Sequence, residues 1–407
     1  MRAPRRMSAV RSAWALFLIA PVLAAPSVQS EQPVRSSPRL QGPRQPGPRE
    51  KSLRRFGGSA ETERGVEAGL DWLARHQRTG GGWDADGFPE DCEAGSPPCD
   101  GPGKGQHGEA VPCPFDVPIS ALAALAFLGQ GHSPAAENDP HAERVERALD
   151  WLKNQGGGRW SLPLSLQALS EAEALDQTGR YTEEILSRTE ALFALRQEDG
   201  AFGYAAPFRE GSDVPFTALC VQALVAARDA GAELPDDLAT RIDAFLNSLE
   251  SRKGKLAYLL RGRDYGYTPT ATNAHLAAAC RLLLQVGTRG ARHRAHLALL
   301  KKSAPQWKIS FRTIEVEGLG ETKVQIGQLS MYQWWYGTIA AFQTGGATWN
   351  TWFASTRKAL LDHQRKEDCA RGSFDPEGMY ERQTGGRVFA TALGVLMLEQ
   401  PYRHRRL

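Results

Sequence analysis

One helical unit recurs along the whole chain: a helix with one apolar stripe, a Gln, a Gly-rich turn ending on an aromatic residue, then an apolar helix. The copies read GLDWLARHQRTGGGW (Gly69 to Trp83), ALDWLKNQGGGRW (Ala148 to Trp160), ALFALRQEDGAFGY (Ala191 to Tyr204) and KALLDHQRKEDCARGSFDP (Lys358 to Pro376). Repeats of this kind bury their cores against neighbouring units rather than in one centre. That suits a body of about 345 residues, which exceeds the usual size of a single hydrophobic core.

The two helices of each unit differ in pattern. Val66, Leu70, Leu73 and Ala74, and again Val145, Ala148, Leu149 and Leu152, place apolar side chains on one face of a helix. The segments Val117 to Leu128, Val214 to Ala227 and Ala274 to Leu284 are apolar nearly all round, so they must be covered on both sides. Alternation of the two kinds predicts an all-α protein, an α/α toroid of about six helical hairpins in two concentric layers. The pairs expected from the order of segments join each outer helix to the inner helix that follows it. Strand-like alternation is weak, and only Lys308 to Gly318 suggests a short hairpin. Inner helices open on Asp-Val-Pro at Asp116 and Asp213 and on Thr-Pro at Thr268, as oxygen caps followed by a first-turn Pro do.

Three domains follow. Residues 1–24 read as a signal peptide: Arg2, Arg5, Arg6 and Arg11 precede the short apolar run Ala13 to Ala24, with cleavage expected before Ala25. Residues 25–60, rich in Pro, Arg, Ser and Gln, read as a disordered tether. Residues 61–403 form the toroid. The expectation is export, to periplasm or medium, with membrane anchoring by an uncleaved signal as the alternative. The net charge of +3 hides an asymmetry, because the first 60 residues hold eleven basic and two acidic side chains and leave 38 basic against 44 acidic in the body. A mildly acidic body argues against a nucleic-acid partner. The basic tether suits contact with an anionic envelope surface.

The spacing Gln77/Gly82/Trp83, Gln155/Gly158/Trp160, Gln197/Gly200/Phe202 and Gln364/Gly372/Phe374 resembles the repeat of squalene and oxidosqualene cyclases and of protein prenyltransferase β-subunits. More narrowly, YQWWYGTIAAFQ, CARGSFDPEG and GGRVFATALGVLMLE look like exported bacterial prenyltransferase/squalene-oxidase repeat proteins of unassigned activity. The resemblance implies the toroid fold, with Gln and aromatic side chains tying each helix end to the next unit. It implies a hydrophobic isoprenoid or lipid ligand in the lumen and no cofactor; an enzyme of this kind would be terpene cyclase-like or prenyltransferase-like. The alternative is a non-catalytic envelope binding or scaffold module on the same fold.

The chain departs from these families at the chemistry. It has no Asp-x-Asp-Asp segment to protonate an alkene; Asp84-Ala85-Asp86 echoes it at the wrong end of a repeat. No spacing matches the prenyltransferase zinc residues, so no catalytic metal is expected. The weak catalytic candidates are Asp116 and Asp213, which the pattern also reads as plain helix caps, and His275, which it also reads as a core histidine. Ligand-binding candidates are Tyr267, Tyr332, Trp335 and Arg387, the last for an anion at a rim of converging helix N-termini. Of Tyr332, Trp334, Trp335 and Tyr336, at most two can face one side of a helix.

Cys220 and Cys280 fall in apolar helices and read as buried thiols. Cys92, Cys99 and Cys113 lie in the long insertion of the first repeat, and Cys369 in the turn of the last, neighbours in a closed ring. Export permits oxidation, so disulfides Cys92–Cys99 and Cys113–Cys369 are expected, the second as a ring clasp. A structural zinc site with His107 as an extra ligand is the alternative.

Overall fold

The structure, a computed structural model, describes residues 42–99, 113–156, 158–203, 211–251, 255–257, 270–316, 320–325 and 329–407. Six helices are buried over nearly their whole surface: α3 (Asp116–Gln130), α5 (Ser161–Asp176), α7 (Val214–Asp229), α9 (Ala271–Leu283), α11 (Met331–Thr344) and α14 (Gly386–Leu398). They pack in cyclic order, α3 on α5, α5 on α7, α7 on α9, α9 on α11, α11 on α14 and α14 back on α3. Around them stand helices that bury one stripe: α2 (Ala60–Arg75), α4 (Ala142–Lys153), α6 (Thr182–Phe193), α8 (Leu238–Ser248), α10 (Ala291–Lys302) and α12 (Gly346–His363). In α4 that stripe is Val145, Ala148, Leu149 and Leu152. The all-α toroid is therefore the observed fold.

The pairing of the layers differs from the expected one. α4 packs chiefly on α3, α6 on α5, α10 on α9 and α12 on α11, each on the inner helix that precedes it, while α8 leans on α9. Connection length matches the pairing of α6, α10 and α12, but not that of α4 or α8, each of which packs on the helix at the end of its longer connection. α5, α9 and α11 pass to their outer partners through a few residues, Gly345 alone between α11 and α12, and short connections make antiparallel neighbours. The passages from α6, α10 and α12 to the inner helix that follows are longer and cross to the next unit. Among the described residues no inner helix precedes α2, and its main partner is α14.

The repeat residues act at these crossings. Gln77 Nε2 donates to Gly81 O at 2.8 Å and to Arg144 O of α4 at 3.0 Å. Gln364 Nε2 donates to Gly372 O and, across the closure, to Gly65 O of α2, both at 2.8 Å. Among the described residues, the side-chain amide of Gln155 bonds to Trp151 O and that of Gln197 to Leu195 O, each in its own unit, so this side-chain tie between units belongs to the first and last copies. The glycine two residues before the aromatic has positive φ in three copies, Gly81, Gly200 and Gly372; in the first copy this is Gly81 and not Gly82. The aromatic residue's own N–H donates to a hydroxyl inside the next inner helix: Trp83 to Ser120, Phe202 to Thr217, Phe374 to Thr391.

Caps start the inner helices as the side chains allow. Asp213 Oδ1 accepts from Phe216 N at 2.7 Å, and Thr270 and Ser330 cap α9 and α11; Thr268 lies outside the described residues. The expected hairpin is present but extends further, β1 (Phe311–Val316) pairing antiparallel with β2 (Gly320–Gln325).

The tether is the main correction to the domain division. From Pro46 to Arg55 it is helix α1, started by Pro in its first turn, with Leu53 buried. Just before it, Arg44 is buried against Glu171 of α5 (2.8 Å) and Leu128 O of α3 (2.9 Å). Arg403 of α15 (Gln400–Arg403) clamps the other side of Glu171 at 2.8 and 2.9 Å and donates to Leu125 O. Both carbonyls sit in the last turns of α3, where a helix carries partial negative charge. The two guanidiniums thus seal the C-terminal end of the inner ring. α13 (Met379–Thr384) precedes α14 at the opposite end.

Candidate functional site

A small cavity lies inside the ring. Its walls come from first or second turns of the inner helices: Phe115, Pro118, Ile119 and Leu122 at α3, Trp160 and Leu164 at α5, Leu219 of α7. Tyr332 and Trp335 of α11 and Phe389 of α14 complete it, with Thr384 at the end of α13. Helix N-termini therefore gather at the cavity and C-termini at the sealed end. The lining is nearly all apolar, and half of it is aromatic. Tyr332 stands at the centre of the aromatic set, 6.4 Å edge-on to both Trp160 and Trp335. Its hydroxyl donates to Pro215 O at 3.3 Å. Among the described residues the indole N–H of Trp335 has no hydrogen-bond partner, although the residue is buried. Trp334, by contrast, points away and meets Trp307.

The structure gathers acids around the start of α3, next to the cavity-lining Phe115. Asp116 is the first residue of α3 and does not cap it; Oδ1 accepts from Ala85 N at 2.9 Å. Its polar atoms lie within 4.8 Å of those of Asp86 and Cys113, and Asp84 is close by, paired with Arg78 at 2.7 Å. Burial pushes the Asp116 carboxyl up to about 7; the Ala85 N–H opposes the rise, and the Asp84 and Asp86 charges add to it. The Asp-Ala-Asp echo that the sequence places at the wrong end of a repeat thus meets the start of α3, and Asp116 is not a lone helix cap. Its neighbours Phe115 and Pro118 line the cavity. An infrared band of a protonated carboxylic acid should disappear with a midpoint near pH 7 and be missing in Asp116→Asn; a midpoint near 4 would contradict this assignment.

The other candidates are absorbed by the scaffold. Asp213 is fully buried and caps α7. His275 is buried in the wall between layers, its Nδ1 at 3.2 Å from Gln333 Nε2 and its ring edge-on to Trp352 at 5.6 Å. Burial pushes it down to about 4, a neutral core histidine. Arg387 does not face the lumen as an anion site: it is buried, 2.6 Å from Asp375 Oδ1 and 2.8 Å from Ser373 Oγ, bracing the last repeat turn. Tyr267 and His107 lie outside the described residues.

All six cysteines are free thiols, so neither expected disulfide is formed. Cys113 turns into the acid cluster at the start of α3, where burial lifts its thiol to about 11. Cys369 instead joins Cys92 and Cys99 around His76, the residue that ends α2. His76 escaped the sequence reading because it stands just before the repeat Gln, where a helix end accounts for it. The available signal was a histidine beside an insertion carrying two cysteines.

No protein-family model and no curated protein matches the chain. Solved structures share its fold at low identity. The type II terpene cyclase MstE from Scytonema, with merosterolic acid A bound, matches at 13% identity over 86% of this chain and 98% of that one, TM-score 0.51. The α-1,6-mannanase GH76A of Salegentibacter sp. HEL1_6, with α-1,6-mannotriose bound, matches at 10% identity over 84% and 98%, TM-score 0.56. The two carry the same toroid and act on unlike molecules, so the fold alone does not assign a ligand.

Proposed function

We propose that the lumen binds a hydrophobic ligand of the isoprenoid or lipid class, held against the Trp160, Tyr332 and Trp335 faces. The apolar lining carries this reading. A sugar site needs many hydrogen-bonding side chains, whereas the described lining is apolar but for the Trp335 N–H, the Tyr332 hydroxyl already bonded to Pro215 O, and Thr384. The cyclase with this fold has also been solved with geranylgeranyl dihydroxybenzoate as substrate, a ligand of the proposed kind. Aromatic faces suit such chains and any cationic centre that develops on them. Asp116, protonated near neutral pH beside Phe115, is the side chain we assign as proton donor if the bound ligand is turned over. Binding without turnover is the second reading, and the absence of a carboxylate from the described lining favours it.

The test is titration of the full chain with a geranylgeranyl-bearing amphiphile, read by tryptophan fluorescence, with α-1,6-mannotriose as comparison. Trp335→Ala should weaken binding at least tenfold, about 1.4 kcal/mol. Failure to bind the amphiphile, or tighter binding of the sugar, would overturn the reading. Turnover abolished in Asp116→Asn, with binding unchanged, would separate chemistry from binding.

A further inference from the structure

We propose that His76, Cys92, Cys99 and Cys369 form a zinc site that locks the closure of the ring. The three sulfurs stand around one nitrogen: His76 Nε2 is 3.6 Å from Cys92 Sγ, 3.6 Å from Cys99 Sγ and 3.5 Å from Cys369 Sγ. All four ligand atoms lie within 4.8 Å of one another. With Zn–S bonds of ~2.3 Å and Zn–N bonds of ~2.0–2.1 Å, the sulfur–nitrogen edge of a tetrahedron is about 3.6 Å. The spacing is that of four ligands around a single ion. Three thiols and one imidazole are a standard structural zinc set, closed to substrate because every position is filled by protein.

The surroundings fit ligands rather than idle thiols. His76 Nδ1 lies 2.9 Å from Trp72 O, the outer bond that directs Nε2 toward a metal. The ring is stacked on Trp72 at 4.2 Å and meets Phe88 edge-on, so its plane is fixed. Cys92 Sγ accepts the backbone N–H of Cys99 at 3.1 Å, a bond that stabilises a thiolate. Cys99 and Cys369 are buried and Cys92 is half-buried. Binding would release three protons, one per thiol, and leave a site of net charge minus one. Arg75, which donates to Arg371 O at 2.9 Å beside Cys369, supplies the nearest positive charge.

The placement gives the ion its role. His76 ends α2, Cys92 and Cys99 belong to the passage from α2 toward α3, and Cys369 belongs to the passage from α12 toward α14. The site joins the first unit to the last where α2 meets α14, the one seam in the ring that no peptide link crosses. It lies apart from the lumen, so it bears on stability and leaves ligand chemistry to the cavity.

The full chain, purified under reducing conditions, should carry about one zinc ion by elemental analysis. After chelation and addition of cobalt(II), it should show the visible bands of a tetrahedral thiolate site. Cys369→Ser should lose the metal and the cobalt spectrum, whereas Cys113→Ser and Cys220→Ser should keep both. Removing zinc from the unaltered chain should lower its melting temperature, and restoring zinc should recover it; this readout does not depend on any variant folding. The proposal falls if the folded chain binds neither metal, if Cys369→Ser keeps both, or if mass mapping finds a disulfide between any two of Cys92, Cys99 and Cys369.

Discussion

Glu171→Ala is expected to destabilise the protein by about 3–5 kcal/mol, because it leaves two buried guanidiniums, Arg44 and Arg403, with only Glu399, 3.6 Å from Arg403, as a nearby carboxyl partner among the described residues. Three observations support that size. Glu171 is almost wholly inaccessible, it accepts from both arginines and from Gln167, and both arginines also hold carbonyls of α3. Burial alone would raise its carboxyl; the Arg403 and Arg44 charges override this and hold it near 2, against an ordinary value of 4.5. A depressed carboxyl stabilises the fold fully above its unfolded value and loses that contribution as pH falls toward its folded value. Stability should therefore drop by about 3 kcal/mol between pH 5 and pH 2 on account of this group. Urea unfolding across that range checks both statements. A cost below 1 kcal/mol at pH 7, or an acid limb unchanged in Glu171→Gln, would show that the network is not what seals the ring.

Gly372→Ala should cost about 3 kcal/mol or more. At φ +92° a side chain loses roughly 1–2 kcal/mol from its own backbone. A Cβ at Gly372 would also lie inside the van der Waals shell of Ala68 O on α2. To relieve that clash α2 must move, and Gln364 would then release Gly65 O, a bond of about 1 kcal/mol. Gly231→Ala is the control: φ is +103°, and nothing lies within 4 Å of the added carbon. It should cost about 1–2 kcal/mol, the backbone part alone. Equal losses in the two variants would mean that the close approach to α2 carries no energy.

The fold was legible because its signal is long and periodic. Val145, Ala148, Leu149 and Leu152 can face a core only on a helix, and residues 117–128 are covered on every side only in an inner layer. The pairing of layers was not legible from segment order: α6, α10 and α12 pack on the helix at the end of their shorter connection, α4 and α8 on the one at the end of their longer connection. Tyr332 and Trp335 came into view as a three-residue spacing on one helix. The acid cluster did not, because Asp86 and Asp116 are 30 positions apart and meet only when α3 docks. Arg44 was read as tether for lack of apolar neighbours, yet its partner is a carboxylate 127 residues away. His76 was hidden in the same way, with one of its three thiol neighbours 293 residues downstream. Composition shows which residues tolerate water; it does not show which distant charge or sulfur will replace that water.

The partnership of α2 with α14 also sets the order of events at the ribosome. α2 is among the first helices synthesised, and its apolar stripe must wait for the last inner helix to emerge. The bond from Gln364 to Gly65 spans 299 residues. At ~5–20 residues per second that interval is roughly 15–60 s. Throughout it an amphipathic helix is ready for a partner that does not yet exist. An open array of repeats can add units as they leave the tunnel, but this chain cannot complete its first unit until it has made its last.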